Sequence, residues 1–78
     1  MTFTYEFAQN WLRAKLLLLG RSKNAFEVRL RCKSTQDDLF MLHEQGVLDL
    51  DEYTHALSQV LTARAVRLAQ VAIQEACV

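Results

Sequence analysis

The chain has 78 residues, of which 51% are hydrophobic and 23% charged, with nine basic and nine acidic residues, no proline and two glycines. This composition excludes a disordered chain and a disulfide scaffold, and the longest apolar run, Leu16 to Leu19, is far short of the roughly 20 residues that span a membrane. We therefore expect one domain, residues 1–78, of a cytoplasmic protein without a membrane contact, whose small core favours stabilisation by a partner or a second copy.

The first predicted element is a helix over about residues 4–19. Good helix formers fill most of this segment, and apolar residues such as Trp11, Leu12, Leu16 and Leu19 recur every three or four positions. Gly20 follows at the position where a glycine commonly caps the C-terminal end of a helix.

The segment over residues 25–33 allows two interpretations. Apolar and charged residues alternate from Phe26 to Cys32, and a period of two is typical of a half-buried strand. A strand needs a partner, and only residues 2–7 also alternate. In favour of a helix, Asn24 is followed three positions later by a glutamate, which is a capping-box pattern. We favour a mainly α fold and keep open an α+β fold with strands at both segments.

The second half of the chain predicts a helical hairpin, with helices over about residues 35–46 and 50–75. Ser34 or Thr35 is a suitable cap for the first helix, whose first turn then holds two aspartates. Gly46 marks the end of this helix and the start of the turn.

Three acidic residues cluster just after the turn, at Asp49, Asp51 and Glu52. A calcium loop would need a central glycine and a glutamate at its twelfth position, which this segment lacks. Asp49 followed by Glu52 has the spacing of a capping box, so we interpret the cluster as the start of the last helix.

The last helix carries an apolar stripe over more than half of its circumference, wider than one neighbouring helix covers. The stripe comprises Leu61, Ala65, Val66, Leu68, Val71, Ala72, Ile73 and Ala76. Either the chain wraps this helix on all sides, or one side packs on the core and the other binds a partner. For the second case we predict a partner-binding set of Leu61, Ala65, Leu68, Val71 and Ala72.

Charge is unevenly distributed along the chain. Residues 1–33 hold seven basic and two acidic residues, a balance of +5, and residues 34–78 have a balance of −5. Such a chain can close on itself, pair head to tail with a second copy, or bind an anion with its basic half. For the last case, the candidate nucleic-acid-binding residues are Arg21, Lys23, Arg29, Arg31 and Lys33.

The histidines, cysteines and carboxylates form no recognisable metal or catalytic motif. The spacings of Cys32, His43, His55 and Cys77 match no zinc pattern, and no nucleophile elbow, Ser-His-Asp order or phosphate loop is present. We therefore predict a protein that is not an enzyme and that has no metal and no cofactor.

Residues 37–61 resemble the SHOCT-type short helical hairpin. The shared pattern lies in the turn and the helix start after it, at Gly46, Val47, Leu48, Asp49, Asp51, Glu52 and Tyr53, and closes with Val60 and Leu61. The sequence departs from the pattern at Leu57, where a basic residue is usual, and that family occurs at the end of larger proteins. The resemblance implies a helical hairpin and oligomerisation, and no enzymatic activity.

Residues 23–56 also resemble the Hha-type nucleoid modulators, small helical proteins that bind a DNA-binding partner. The matching positions are Lys23, Phe26, Val28, Arg29, Leu30, Arg31, Thr35, Asp37, Leu39, Glu44, Leu50 and Ala56. The acid-His-Arg segment and the terminal tryptophan of that family are missing, so its partner surface is not carried over.

Together these patterns predict a small regulatory or adaptor protein that self-associates, most simply as a dimer, or binds a partner protein through its last helix. The alternatives are a nucleic-acid-binding protein that uses its basic segment, residues 13–33, and a chaperone or inhibitor that masks a larger protein.

Overall fold

The computed structural model describes residues 4–76, which form three helices. Helix α1 is Tyr5–Gly20, α2 is Ala25–Glu44 and α3 is Leu50–Ala76, and no strand occurs among the described residues. The predicted mainly α fold with an N-terminal helix and a helical hairpin is therefore confirmed. The α+β alternative is wrong over 25–33, because this segment is the first half of α2.

The alternating segment folds as a helix that divides its apolar residues between two sides. Val28 and Cys32 are buried, whereas Phe26 and Leu30 are 72% and 57% exposed. Residues four apart share one face of a helix, so both pairs fit helical geometry, and a strand would have placed all four on one face. The other proposed strand, residues 2–7, begins outside the described residues and continues as the first turn of α1.

Each helix begins at a side-chain cap. Thr4 Oγ1 accepts a hydrogen bond from the backbone N–H three residues later, at 3.2 Å. Asn24 Oδ1 accepts from the N–H of Glu27 at 2.8 Å. Before α3, Asp49 Oδ1 accepts from the N–H of Glu52 at 2.8 Å and Glu52 Oε1 accepts from the N–H of Asp49 at 2.9 Å, the reciprocal capping box that the sequence predicted.

Helix α2 starts ten residues earlier than predicted. It runs without interruption through Ser34 and Thr35, so the cap predicted at these residues is wrong. Thr35 is buried, and its hydroxyl donates to the carbonyl oxygen of Arg31 at 2.8 Å, one turn back. This bond satisfies the hydroxyl inside the helix, which makes a threonine compatible with a buried helical position.

The hairpin turn is closed by backbone bonds around Gly46, whose φ is +79°. The N–H of Val47 donates to the carbonyl oxygen of Leu42 and the N–H of Gly46 to that of His43, both at 3.0 Å. These two bonds form a Schellman motif, in which a residue with positive φ ends the helix. The predicted helix end at Gly46 is confirmed.

Side chains on both sides of the turn fix the angle between α2 and α3. His43 Nδ1 lies 3.0 Å from the carbonyl oxygen of Leu48. The His43 ring stacks on Tyr53 with a centroid distance of 4.9 Å, and Phe40 approaches the same tyrosine edge-on at 6.5 Å. The first turn of α3 is thereby attached to the last turn of α2.

Replacement by alanine is expected to change the stability of the protein in opposite directions at the two glycines. Gly46→Ala is expected to lower the free energy of unfolding by about 1 kcal/mol, because an L residue is strained at positive φ. Gly20→Ala is expected to raise it by about 0.5 kcal/mol, since Gly20 is helical rather than the left-handed cap predicted, and an added Cβ meets no atom within 4 Å. Chemical denaturation measures both, and a loss of stability at position 20 would contradict this assignment.

The loop between α1 and α2 is held by two arginines around Ser22, which is fully buried. Arg67 of α3 donates from Nε and Nη2 to the carbonyl oxygen of Ser22, at 2.9 and 2.7 Å, and from Nη1 to Gln70 Oε1 at 3.1 Å. Arg31 of α2 donates from Nη1 to the carbonyl oxygen of Leu18 at 2.6 Å and to Ser22 Oγ at 3.4 Å. All three helices therefore meet at this loop.

The apolar core lies where the three helices and the hairpin turn converge. Its buried members are Ala8, Leu12, Leu19, Val28, Cys32, Leu39, Leu48, Ala56, Val60 and Val71. Because α1 and α2 cover only one side of α3, the opposite side of this helix is left in contact with solvent.

Candidate interaction surface on helix α3

Helix α3 is longer than the core that it covers. Its 27 residues extend over about 40 Å, and its buried residues are Ala56, Val60 and Val71. Ala63 and Leu68 are partly buried and pack against the core. Five further residues follow Val71 in the helix, and all five are exposed.

The structure divides the predicted partner-binding set between two sides of α3. Leu61, at 37% exposure, Ala65 and Ala72 are open to solvent. Leu68 packs against the core and keeps only part of its surface accessible, and Val71 is 1% exposed inside the core. In this fold Val71 is therefore not available to a partner.

We call the exposed side of the second half of this helix the outer face of α3. It is composed of Ser58, Leu61, Thr62, Ala65, Val66, Ala69, Ala72, Ile73 and Ala76, all of which are exposed. Val66 and Ile73 are the most accessible large side chains on it, at 53% and 64%. No member carries a charge.

The charged residues of the same stretch lie outside this face. Arg67 is turned inward to Ser22. Arg64 and Glu75 are eleven positions apart, close to three helical turns, and lie on the core side of the border that Leu61 forms, where the Arg64 guanidinium interacts with Cys32 of α2. The opposite border carries the uncharged side chains of Gln59 and Gln70.

Sequence reasoning missed Val66, Ala69 and Ile73 as members of the exposed set. The apolar stripe covers more than half of the helix, so periodicity alone does not tell which part of it faces the core. No sequence signal marks the inward side, because the contact that shows it, from Arg67 to Ser22, joins residues 45 positions apart.

Exposed apolar side chains on α2 occur in a different setting. Phe26, Leu30 and Met41 are 72%, 57% and 56% exposed. Lys33 and Asp37 are exposed between them on the same side of the helix. Charges interrupt the apolar surface of α2, whereas the outer face of α3 is continuous.

The five basic residues proposed for nucleic-acid binding are divided between the α1–α2 loop and helix α2. Arg29 and Lys33 are exposed, four positions apart, on one side of α2. Arg31 is partly buried and donates to α1 instead. Arg21 and Lys23 are exposed in the loop between α1 and α2. Arg31 therefore has a structural role, and four of the five residues are exposed.

Cys32 and His43, two of the four residues whose spacing was compared with zinc patterns, contribute to packing. Cys32 is buried in the core, and this burial raises the pKa of its thiol, an effect that the neighbouring Arg64 guanidinium only partly offsets. His43 binds the hairpin turn. Between residues 4 and 76, no three histidine, cysteine or carboxylate side chains come close enough to hold a metal ion.

Within the described part of the chain, none of the helices combines the length and the apolar character required to cross a membrane.

Comparisons with protein-family models, curated proteins and solved structures find no match to this chain. The resemblances to the SHOCT-type hairpin and to the Hha-type modulators therefore stay predictions. The fold defines the class, a small three-helix protein.

Proposed function

We propose that this protein is a small non-enzymatic adaptor or regulator that acts by binding protein through the outer face of α3. One observation carries the proposal: this face is exposed, apolar and free of charge from Ser58 to Ala76, about 27 Å along the helix axis. Single exposed apolar residues are common on folded proteins, but a continuous apolar strip is typical of an interaction surface.

The energetics favour a helical partner. Leu61, Val66 and Ile73 each keep between about a third and two thirds of their surface in water. Covering this remainder stabilises a complex by about 1 kcal/mol for each side chain. The alanines between them allow two helix backbones to approach closely, and a surface already folded as a helix loses little conformational entropy on binding.

A catalytic role has less support in the structure. Cys32 is a core residue and His43 a turn residue, so neither is placed to attack or deprotonate a substrate. Nucleic-acid binding also has less support, since Arg31 bonds to α1 and Asp37 lies one turn after Lys33 on the same side of α2.

Replacement of two exposed alanines by arginine, one on the outer face and one away from it, tests the proposal. Ala69 lies at the middle of the outer face and Ala14 on the exposed side of α1. Ala69→Arg places a charge where a partner would exclude water, so we expect it to abolish association, whereas Ala14→Arg should leave association unchanged.

Two measurements are made on wild type, Ala69→Arg and Ala14→Arg, each carrying an affinity tag. The first is the molar mass of each purified protein, and the second is the set of proteins that each retains from an extract of the source cells. The proposal requires a difference between the two variants in at least one of these. Equal behaviour of Ala69→Arg and wild type in both would refute it.

A further inference from the structure

The groove between α1 and α2 contains a cavity of about 280 Å³ that no described residue of α3 lines. Its lining residues are Lys15, Leu18, Leu30, Arg31, Ser34 and Thr35. An engineered protein cavity of about 150 Å³ holds benzene, so the volume here is sufficient for a ligand of roughly ten non-hydrogen atoms. The cavity therefore has the size of a site for a small molecule.

Both charged residues of this cavity are cationic, and they come from different helices. Lys15 belongs to α1 and Arg31 to α2, and both are partly buried. No carboxylate of the described residues lines the cavity. Partial burial reduces screening by water and salt, so two cations at this site attract an anion more strongly than the same charges do on an open surface.

Each of these cations keeps hydrogen-bond donors that no described residue uses. Arg31 donates from Nη1 to the carbonyl oxygen of Leu18 at 2.6 Å and to Ser22 Oγ at 3.4 Å, which holds the guanidinium in place. Its other edge, formed by Nε and Nη2, makes no hydrogen bond within the described chain, and a planar edge of this kind binds two oxygens of a carboxylate or phosphate. Lys15 Nζ lies 5.9 Å from the centre of the Trp11 ring and forms no ion pair with a described residue.

Two leucines provide the apolar part of the cavity. Leu18 of α1 and Leu30 of α2 are 47% and 57% exposed. An aliphatic chain that covers them removes apolar surface from water, which favours binding. Cationic donors and apolar side chains thus line the same small volume.

We propose that this cavity binds a small amphipathic anion, whose carboxylate or phosphate group lies between Lys15 and Arg31 and whose short aliphatic chain covers Leu18 and Leu30. The chemistry is that of a medium-length fatty acid or an alkyl phosphate. The site lies apart from the outer face of α3, and the inference does not depend on the proposed function.

The acidic residues nearby determine where in the groove the anion lies. Asp37 and Asp38 line the neighbouring depression on α2, beyond Ser34. Repulsion from these two carboxylates disfavours an anion on that side of Ser34, so the head group is placed at the Arg31 end of the groove.

An NMR titration of the full chain with sodium octanoate at pH 7 tests the site. We expect saturable shifts of the amide signals of Leu18, Leu30 and Ser34, with a dissociation constant of about 0.1 to 1 mM for a ligand of this size. Octyl phosphate is expected to bind in the same range. Octan-1-ol, which has the same chain without the charge, should bind at least about tenfold more weakly, and octylammonium should cause no saturable shift at these residues.

Three variants locate the site. Lys15→Gln removes one cation and is expected to weaken octanoate binding about five- to tenfold, whereas Lys23→Gln makes the same change of charge in the α1–α2 loop and should bind as wild type does. Leu30→Glu places a carboxylate in the wall of the cavity and should abolish binding. Because Leu30 is exposed, we expect this variant to keep the fold, which its circular dichroism spectrum checks. Arg31 is left unchanged, because its replacement would also break the bond to Leu18.

The outcomes either support or overturn the inference. Saturable binding of octanoate or octyl phosphate that depends on Lys15 and not on Lys23 supports it. The absence of saturable binding by both anions overturns it, as does equal binding of octan-1-ol or wild-type affinity in either Lys15→Gln or Leu30→Glu. Association with vesicles of anionic phospholipid without saturable octanoate binding would indicate a membrane-binding surface and would also overturn it.

The same titration separates this site from the proposed function. Ala69→Arg changes the outer face of α3 and is expected to bind octanoate as wild type does, because Ala69 does not line the cavity. Failure of the anion site therefore leaves the proposed function unaffected, and loss of association through the outer face leaves the anion site unaffected.

Discussion

Replacement of Arg67 by alanine is expected to lower the free energy of unfolding by about 2 kcal/mol. The guanidinium donates twice to the carbonyl oxygen of Ser22, which belongs to a fully buried residue 45 positions away. Removal of the side chain breaks both charged hydrogen bonds and leaves a poorly solvated carbonyl group. Equilibrium denaturation of both proteins at one concentration measures the difference.

Two further variants assign this effect to the bonding geometry. Arg67→Lys keeps the charge but offers a point donor instead of a planar fork, so it should recover about half of the lost stability. Arg13→Ala removes an arginine from the exposed side of α1 and should change stability by about 0.5 kcal/mol or less. An Arg67→Ala variant as stable as Arg13→Ala would contradict the described role of the α1–α2 loop.

Val28→Ala is expected to lower the free energy of unfolding by about 2 kcal/mol, because it removes two methyl groups from a side chain that is 0% exposed and leaves a cavity. Leu30→Ala, two positions later, should cost about 0.5 kcal/mol or less, since Leu30 is 57% exposed. Both are measured by denaturation, and circular dichroism checks that helix content is kept.

The comparison of Val28 and Leu30 tests the secondary structure directly. In a strand the two side chains would lie on the same face, and both substitutions would cost a similar amount. Similar losses from the two variants are thus incompatible with α2 as described.

The helix ends were predictable from the sequence because they depend on residues three to five positions apart. Asp49 with Glu52, Asn24 with Glu27, and the glycine at 46 are each complete signals within one turn of chain. The same rules failed at Thr35, where a residue suited to a cap instead bonds inside a longer helix. A residue that could cap a new helix can also lie inside a longer helix that began upstream, as Thr35 does in α2.

The orientation of α3 was not predictable, because it depends on contacts between distant parts of the chain. Val71 was assigned to the partner surface and lies in the core, while Ala69 was not assigned to it and lies at the centre of the exposed side. Both belong to one wide apolar stripe, and its rotation is fixed by contacts with distant residues, such as the bond from Arg67 to the α1–α2 loop. A bond between residues 45 positions apart leaves no periodic signal.

The last five described residues of α3 follow Val71, and none of their side chains is buried. Helical turns without tertiary packing open readily, since few contacts oppose the gain in backbone entropy. If a partner binds the outer face of α3 as proposed, it covers these turns, and we expect amide exchange in residues 72–76 to be slower in the complex than in the free protein. Amide exchange at the end of α3 would therefore report on association through the outer face.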